Sequence, residues 1–186
     1  MVAYRQNLDQ QTSRAQQYTA GLQRQNRPAT YRFQQGYVTH MRQQQLGFSR
    51  SHDYNNDPYY YTAASYRYSR GGSYYETNEY GANMLRQAIN NGYSEGYFAG
   101  QADREDRWAS DYRSSYAYQD ANFGYDGYYG NQADYNYYFR EGFNRGYHDG
   151  YYSRTQYGQY SNGSRSILGV FLSQILSLEP ISVSIR

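Results

Sequence analysis

The 186-residue chain contains no cysteine, and all 18 of its basic residues are arginine. The absence of cysteine excludes disulfides, cysteine-ligated zinc and thiol catalysis, and it removes any redox clue to the compartment. The three histidines, His40, His52 and His148, share no spacing typical of metal ligands. We therefore expect no metal site and no cofactor.

Aliphatic residues are scarce, and the mean hydropathy is −1.12. Such a composition is typical of disordered chains. However, the sequence contains 29 tyrosines. A tyrosine ring buries a large area while its hydroxyl still needs a hydrogen-bond partner. The composition is therefore compatible with a small core built from tyrosine, with hydroxyls bonded at its edges.

Long apolar runs are also missing. The longest, Ile167–Leu178, has 12 residues, whereas a membrane-spanning helix needs about 20. We expect no transmembrane span. Met1–Gln10 contains no apolar stretch, so the chain as written shows no signal peptide. We expect an envelope or secreted protein if a signal peptide precedes this start, and otherwise a cytoplasmic one.

Glycine, in contrast, is regularly placed. Three glycines recur at every fourth position of Asn91–Gln101, and three more do so in Glu141–Tyr151. The second set repeats the first further along the chain: Gly92, Gly96 and Gly100, then Gly142, Gly146 and Gly150. A glycine inside a helix costs about 1 kcal/mol relative to alanine. We therefore predict that these six, the glycine ladder, pack two helices closely. The alternative is a pair of Gly/Tyr-rich loops with accidental spacing.

The internal repeat extends upstream of the glycines. Four large residues precede or interleave with each set at the same offset: Leu85, Ile89, Tyr93 and Tyr97 match Tyr135, Phe139, Phe143 and Tyr147. On a helix, positions four apart form one ridge. A large-residue ridge beside a glycine groove favours the helical interpretation.

The fold class that follows is mainly α, a small helical hairpin or bundle with irregular or disordered flanks. We divide the chain into a Gln/Arg-rich arm (1–50), an irregular Tyr-rich segment (51–78), a helical repeat core (79–153) and a linker with an apolar tail (154–186). The arm is expected to be largely disordered, with one marginal helix.

Within these segments the predicted elements are as follows. Helices are expected over Glu79–Trp108, over Ser110–Phe123, from Asn131 to about Tyr152, and over Ile167–Leu178. Tyr59–Tyr68 is a strand or an extended segment, 153–166 is a linker, and Ile181, Val183 and Ile185 alternate with serine as in a strand.

Charge is distributed unevenly along the chain. Residues 1–50 hold seven arginines and one aspartate, a charge of +6, and residues 51–186 hold eleven arginines and fifteen acids, a charge of −4. The two parts could attract each other, or the arm could bind an anionic partner.

No motif predicts catalysis. The charged run Asp103–Arg107 is interpreted as a solvated helix end. Asp120–Gly127 lacks the glycine and the terminal glutamate of a calcium loop. The glycine segments follow no strand, which argues against a nucleotide loop. We therefore assign no catalytic, cofactor-binding or metal-binding residue and expect a protein that is not an enzyme.

Two strings, NNGYSEGYFAGQ and REGFNRGYHDGY, have a distinctive form. With their flanks they resemble a group of Tyr/Gly-rich bacterial proteins with paired GY-x-x-G segments, many of which begin with a secretion signal. The resemblance covers about residues 55–178 and implies no catalytic residue. It implies a structural or interaction protein of the bacterial cell envelope, whose Tyr-rich surface contacts sugar polymers, proteins or copies of itself.

An alternative rests on the interleaved tyrosine and arginine of Tyr66–Gly72, a pattern typical of single-strand nucleic-acid surfaces. It would make the protein a nucleic-acid-binding or condensate-forming one, with the basic arm supplying the charge. The net negative charge of residues 51–186 argues against this alternative.

Overall fold

The computed structural model describes residues 2–47 and 52–181, without the side chains of residues 2–9 and 45. The protein is mainly helical, as predicted. The elements in chain order are α1 (Val2–Arg24), α2 (Pro28–Gly47), β1 (Tyr66–Arg70), β2 (Ser73–Thr77), α3 (Glu79–Glu105), α4 (Tyr116–Asp120), α5 (Gln132–Tyr151), β3 (Gly158–Ser161), β4 (Ser164–Ile167), α6 (Gly169–Leu176) and β5 (Glu179–Pro180).

The two long core helices begin where the sequence predicts, because an asparagine caps each of them. The Asn78 side chain accepts a hydrogen bond from the Gly81 N–H (3.1 Å), and the Asn131 side chain accepts one from the Ala133 N–H (2.8 Å). α3 ends at Glu105, before the predicted Trp108, since Arg107 adopts a left-handed conformation (φ 55°).

The six glycines lie between α3 and α5. A Cβ built on any of them would lie closer than 3.0 Å to a backbone carbonyl of the other helix. The facing pairs are Gly92 and Phe139, Gly96 and Phe143, Gly100 and Tyr147, Gly142 and Ile89, Gly146 and Tyr93, and Gly150 and Tyr97. Only a residue without a side chain allows this backbone approach.

The facing positions increase together along both helices, so α3 and α5 run parallel. This differs from the hairpin that we expected, which would make them antiparallel. The connection between Glu105 and Gln132 returns the chain to the start of α3. Of the predicted helix Ser110–Phe123, only α4 is α-helical and Tyr112–Ser114 forms a 3₁₀ turn, because Ser115 is extended and Ala121 is left-handed (φ 55°).

The core is largely aromatic. Rings along one face of α5 lie next to one another, with centroids 5.9–6.4 Å apart: Tyr135, Phe139, Phe143, Tyr147 and Tyr151. Four buried tyrosine hydroxyls donate to buried aspartates: Tyr37 to Asp120 (2.6 Å), Tyr68 to Asp134 (2.8 Å), Tyr93 to Asp149 (2.8 Å) and Tyr147 to Asp103 (2.6 Å). Tyrosine thus fills the interior and has its polar end satisfied there.

The described residues of the N-terminal arm form two helices, α1 and α2, where we expected one marginal helix in a largely disordered segment. Six apolar side chains of these helices are buried: Ala15, Leu22, Ala29, Tyr37, Val38 and Met41. The Tyr116 hydroxyl donates to the Gln11 carbonyl (2.6 Å), and the Tyr18 hydroxyl donates to the Ser114 carbonyl (2.7 Å). Packing against the core therefore stabilises helices that the local sequence alone supports weakly.

Two small antiparallel sheets complete the structure, with strand orders β2-β1-β5 and β3-β4. The ambiguous stretch Tyr59–Tyr68 contains the end of a 3₁₀ turn, Pro58–Tyr60, and the start of β1. The predicted linker 153–166 instead holds most of the β3–β4 hairpin, which turns at Asn162 and Gly163 with positive φ. α6 occupies part of the predicted helix Ile167–Leu178. Of the strand-like tail, residues 182–186 lie outside the described residues.

We expect Gly96→Ala and Gly146→Ala each to lower the free energy of unfolding by about 1–3 kcal/mol, because the new methyl group meets a backbone carbonyl that cannot move alone. The matched control is Gly21→Ala in α1, where nothing lies within 4 Å of the added Cβ. Helix propensity should raise its stability by up to about 1 kcal/mol. Urea denaturation of the three variants measures both effects, and equal stabilisation by all three would contradict the close contact.

Candidate functional site

The six glycines that the sequence identified are all buried, so they position other residues and are not themselves accessible. Two accessible features stand out in the part of the chain that the structure describes. One is a cluster of aromatic rings at the surface, and the other is a groove between α2 and α3.

We define the tyrosine cluster by seven rings from three separate segments. Neighbouring ring centroids lie 4.0–6.5 Å apart. Its members are His52, Tyr54, Tyr59, Tyr60, Tyr80, Tyr128 and Tyr129. The sequence showed the abundance of tyrosine, but the convergence of these segments arises only in the fold.

Hydrogen bonds hold the cluster in place. The Tyr60 hydroxyl donates to the Tyr128 carbonyl (2.7 Å), and the Gly130 N–H donates to the Tyr59 hydroxyl (2.9 Å). Asp57 caps the 3₁₀ turn by accepting from the Tyr59 N–H (2.9 Å). Burial raises the pKa of Asp57, but hydrogen bonds from Tyr59 and the neighbouring Tyr129 and the charge of His52 outweigh it and lower the pKa. The turn is therefore anchored to the rings beneath it.

Part of the cluster remains open to solvent. Tyr54, Tyr60 and Tyr80 are 42%, 46% and 38% exposed, and the adjacent Tyr61 is 70% exposed. Exposed aromatic rings held in one place offer apolar faces together with hydroxyl donors. Such a surface suits stacking on another ring and requires no charge on the ligand.

The second feature is a groove of about 450 Å³ between α2 and α3. Its lining includes Phe33, Gly36 and His40 of α2, and Glu95 and Phe98 of α3. The Phe98 ring is 46% exposed. The groove thus combines apolar rings with one acidic group.

Glu95 is the most unusual residue of this groove. Its side chain is 8% exposed and forms no hydrogen bond or ion pair within the described residues. Burial raises the pKa of Glu95 to about 7, because the charged form loses its hydration without gaining a partner. A perturbed carboxyl that lines an opening is typical of a functional position. Nothing in the sequence indicated that Glu95 is special. The internal repeat does not preserve the residue, because Arg145 occupies the equivalent position.

The α2 wall of the groove is fixed by the charged run that we interpreted as a solvated helix end. Asp103 is 3% exposed and accepts hydrogen bonds from Arg27 (2.5 Å), Thr30 (2.9 Å) and the Tyr147 hydroxyl (2.6 Å). Asp106 accepts from the backbone N–H groups of Ala29 and Thr30, both at 2.8 Å, at the start of α2. The solvated-end interpretation is therefore wrong for these two aspartates, whose partners lie at or just before the start of α2 and, for Asp103, also on α5.

The described residues contain no group of three or more side chains placed to hold a metal ion. No helix among them is long and apolar enough to cross a membrane.

Compared with known proteins, the chain matches no family model, no curated protein and no solved structure.

We expect Asp103→Asn to lower the free energy of unfolding by about 3–5 kcal/mol, because it leaves the buried Arg27 guanidinium without its counter-charge. The matched control is Glu105→Gln, which removes the exposed ion pair of the same helix α3 with Arg32 of α2. This change should cost less than about 1 kcal/mol. Denaturation curves give both values, and similar costs for the two variants would contradict the anchoring role of Asp103.

The burial of Glu95 predicts a pH dependence of stability. The pKa of Glu95 is about 7 in the folded protein, whereas the ordinary value for a glutamate is 4.5. The folded state therefore holds the proton more tightly than the unfolded state does. Stability should therefore fall as pH rises from about 4.5 to about 7. Glu95→Gln should remove this loss and gain on the order of 3 kcal/mol over the unchanged protein at pH 8, but little at pH 4.5. Urea denaturation at both pH values tests this, and a gain independent of pH would disprove it.

Proposed function

We propose that the protein is a non-enzymatic interaction protein of the bacterial cell envelope that binds a sugar polymer through the tyrosine cluster. The observation that carries the proposal is the convergence of seven aromatic rings on one partly exposed surface. The assignment to the envelope rests on the resemblance of the paired GY-x-x-G segments to exported proteins.

The chemistry of the cluster favours a sugar over a charged ligand. Aromatic faces carry negative partial charge and attract the C–H groups on the apolar face of a sugar ring. Tyrosine hydroxyls at the rim can exchange hydrogen bonds with sugar hydroxyls. The exposed rings Tyr54, Tyr60 and Tyr61 lie close in sequence, and Tyr54 and Tyr60 are in contact with centroids 5.5 Å apart. Adjacent rings suit a ligand with repeating units.

The glycine ladder has a supporting role in this proposal. By holding α3 and α5 at fixed separation, it places the N-terminal end of α3, with Tyr80, beside the connection that carries Tyr128 and Tyr129. The internal repeat is in this view the scaffold of the binding surface. The proposal therefore predicts binding without a catalytic residue.

Nucleic-acid binding remains the alternative, and the ion pairs of the arm weigh against it. Arg27 and Arg32 of the basic arm are paired with Asp103 and Glu105 of α3. Part of the positive charge is thus neutralised within the molecule. The uneven charge suggested either attraction between the two parts of the chain or binding of an anionic partner by the arm. The two ion pairs support the attraction between the two parts.

We expect the combined variant Tyr54→Ala, Tyr60→Ala and Tyr61→Ala to bind purified bacterial cell-wall sacculi at least tenfold more weakly than the unchanged protein. Binding by the unchanged protein should persist in 1 M NaCl, because ring stacking is not screened by salt in the way that ion pairs are. Co-sedimentation with sacculi measures both effects. The matched control is Tyr74→Ala, which removes a tyrosine that is 69% exposed on β2 and outside the cluster.

Equal loss of binding in the Tyr74→Ala control, or no binding to sacculi by the unchanged protein, would contradict the proposal. Tight binding of a single-stranded oligonucleotide that weakens steeply with salt would support the alternative. Concentration-dependent sedimentation without sacculi would identify self-association as the role of the cluster.

A further inference from the structure

The groove between α2 and α3 shares no residue with the tyrosine cluster and presents different chemistry. Its Glu95 residue is 8% exposed and forms no hydrogen bond or ion pair within the described residues. A buried carboxylate without a partner is unfavourable, and a cation of the right size would relieve this cost. The groove therefore contains an acceptor that the protein itself leaves unused.

The other charges around the groove leave it negative. Arg32 and Glu105 line its edge and neutralise each other in an ion pair of 2.6 Å. With Glu95 ionised, the three groups together carry one net negative charge. A ligand with a single positive charge would balance it.

The apolar part of the lining also favours a cation. Phe33 from α2 and Phe98 from α3 lie on the lining with Glu95. Aromatic faces attract ammonium groups, and the attraction is stronger where water is excluded. The same rings can cover an apolar stem attached to the charged head.

Open space beside Gly36 gives the ligand room. A Cβ built on Gly36, in the middle of α2, meets no atom within 4 Å, although the residue lines the groove. The volume of about 450 Å³ is within the range of small-molecule sites.

We propose that this groove binds a primary ammonium group carried on an apolar stem, with the Glu95 carboxylate as its counter-ion and Phe33 and Phe98 around the stem. Such a group occurs in free organic amines and in lysine side chains. This chain contains no lysine, so a lysine would come from a different protein.

The pairing makes binding depend on pH. In the free protein the Glu95 pKa is about 7, so below pH 7 an ammonium ion must displace a proton before it can pair with the carboxylate. Affinity should be constant above pH 7 and fall about tenfold per pH unit below it. The other titratable or charged groups that line the groove are Arg32, Tyr37 and His40 from α2 and Glu105 from α3. The Tyr37 hydroxyl in turn donates a hydrogen bond to Asp120 (2.6 Å).

Calorimetric titration of the full chain with 2-phenylethylamine tests the proposal, because this amine stays protonated between pH 5 and pH 8. We expect saturable binding that is about one hundredfold weaker at pH 5 than at pH 8. Glu95→Gln should weaken binding at pH 8 at least tenfold and remove the pH dependence. His40→Gln should leave the pH dependence unchanged, because the proposal assigns that dependence to Glu95.

A second variant tests the location without changing a charge. Gly36→Leu should fill the groove and abolish binding, whereas Gly21→Leu, at a glycine of α1 with equally open surroundings, should retain it. Thermal melts confirm that both variants fold. A short lysine-containing peptide distinguishes the two sources, since binding of the peptide as tightly as the free amine identifies a protein partner.

Three results would overturn the proposal. They are equal binding of the neutral analogue 2-phenylethanol, an affinity for the amine that is the same at pH 5 and pH 8, and the absence of saturable binding by both the amine and the peptide.

Discussion

Backbone contact between α3 and α5 is the constraint on which the rest of the structure depends. Six glycines bring the carbonyl oxygens of each helix against the Cα atoms of the other, a geometry that also permits weak Cα–H···O hydrogen bonds. Because the helices lie so close, side chains at the edge of the contact reach across it. Tyr93 of α3 donates a hydrogen bond to Asp149 of α5, and Tyr147 of α5 donates one to Asp103 of α3. The glycines thus determine which polar groups can meet in the core.

The tyrosine–aspartate pairs explain how a chain of such low hydropathy folds. Each buried hydroxyl needs an acceptor, and each buried carboxylate needs donors. Burial raises the pKa of Tyr37, Tyr68, Tyr93 and Tyr147, and the aspartate that each one bonds raises it further. These hydroxyls therefore remain protonated and keep donating. Where other proteins fill the interior with leucine and isoleucine, this one uses rings whose polar ends are bonded internally.

The sequence predicted those features that are encoded locally. The predicted starts of α3 and α5, at Glu79 and Asn131, agree with the structure to within one residue, and spacing identified the glycines. The parallel direction was not predictable, because a repeat in the sequence is compatible with either orientation of the two helices. The helices of the arm depend on contacts as distant in sequence as that of Arg27 with Asp103, and local patterns do not report such contacts. For the same reason the tyrosine cluster, built from three segments, and the burial of Glu95 under α2 became evident only in the fold.

The contacts between α3 and α5 are reciprocal. Gly92 of α3 faces Phe139 of α5. The repeat places Gly142 at the position that matches Gly92 and Ile89 at the position that matches Phe139, and Gly142 faces Ile89. The same relation holds for the other two pairs of glycines. Each helix therefore presents to its neighbour the surface that the neighbour presents to it, which is the defining property of an isologous, two-fold symmetric interface. A single chain has here the internal geometry of a homodimer whose two subunits are covalently joined. A substitution on one side of this pseudo-symmetric interface thus has a counterpart at the matching position of the other helix.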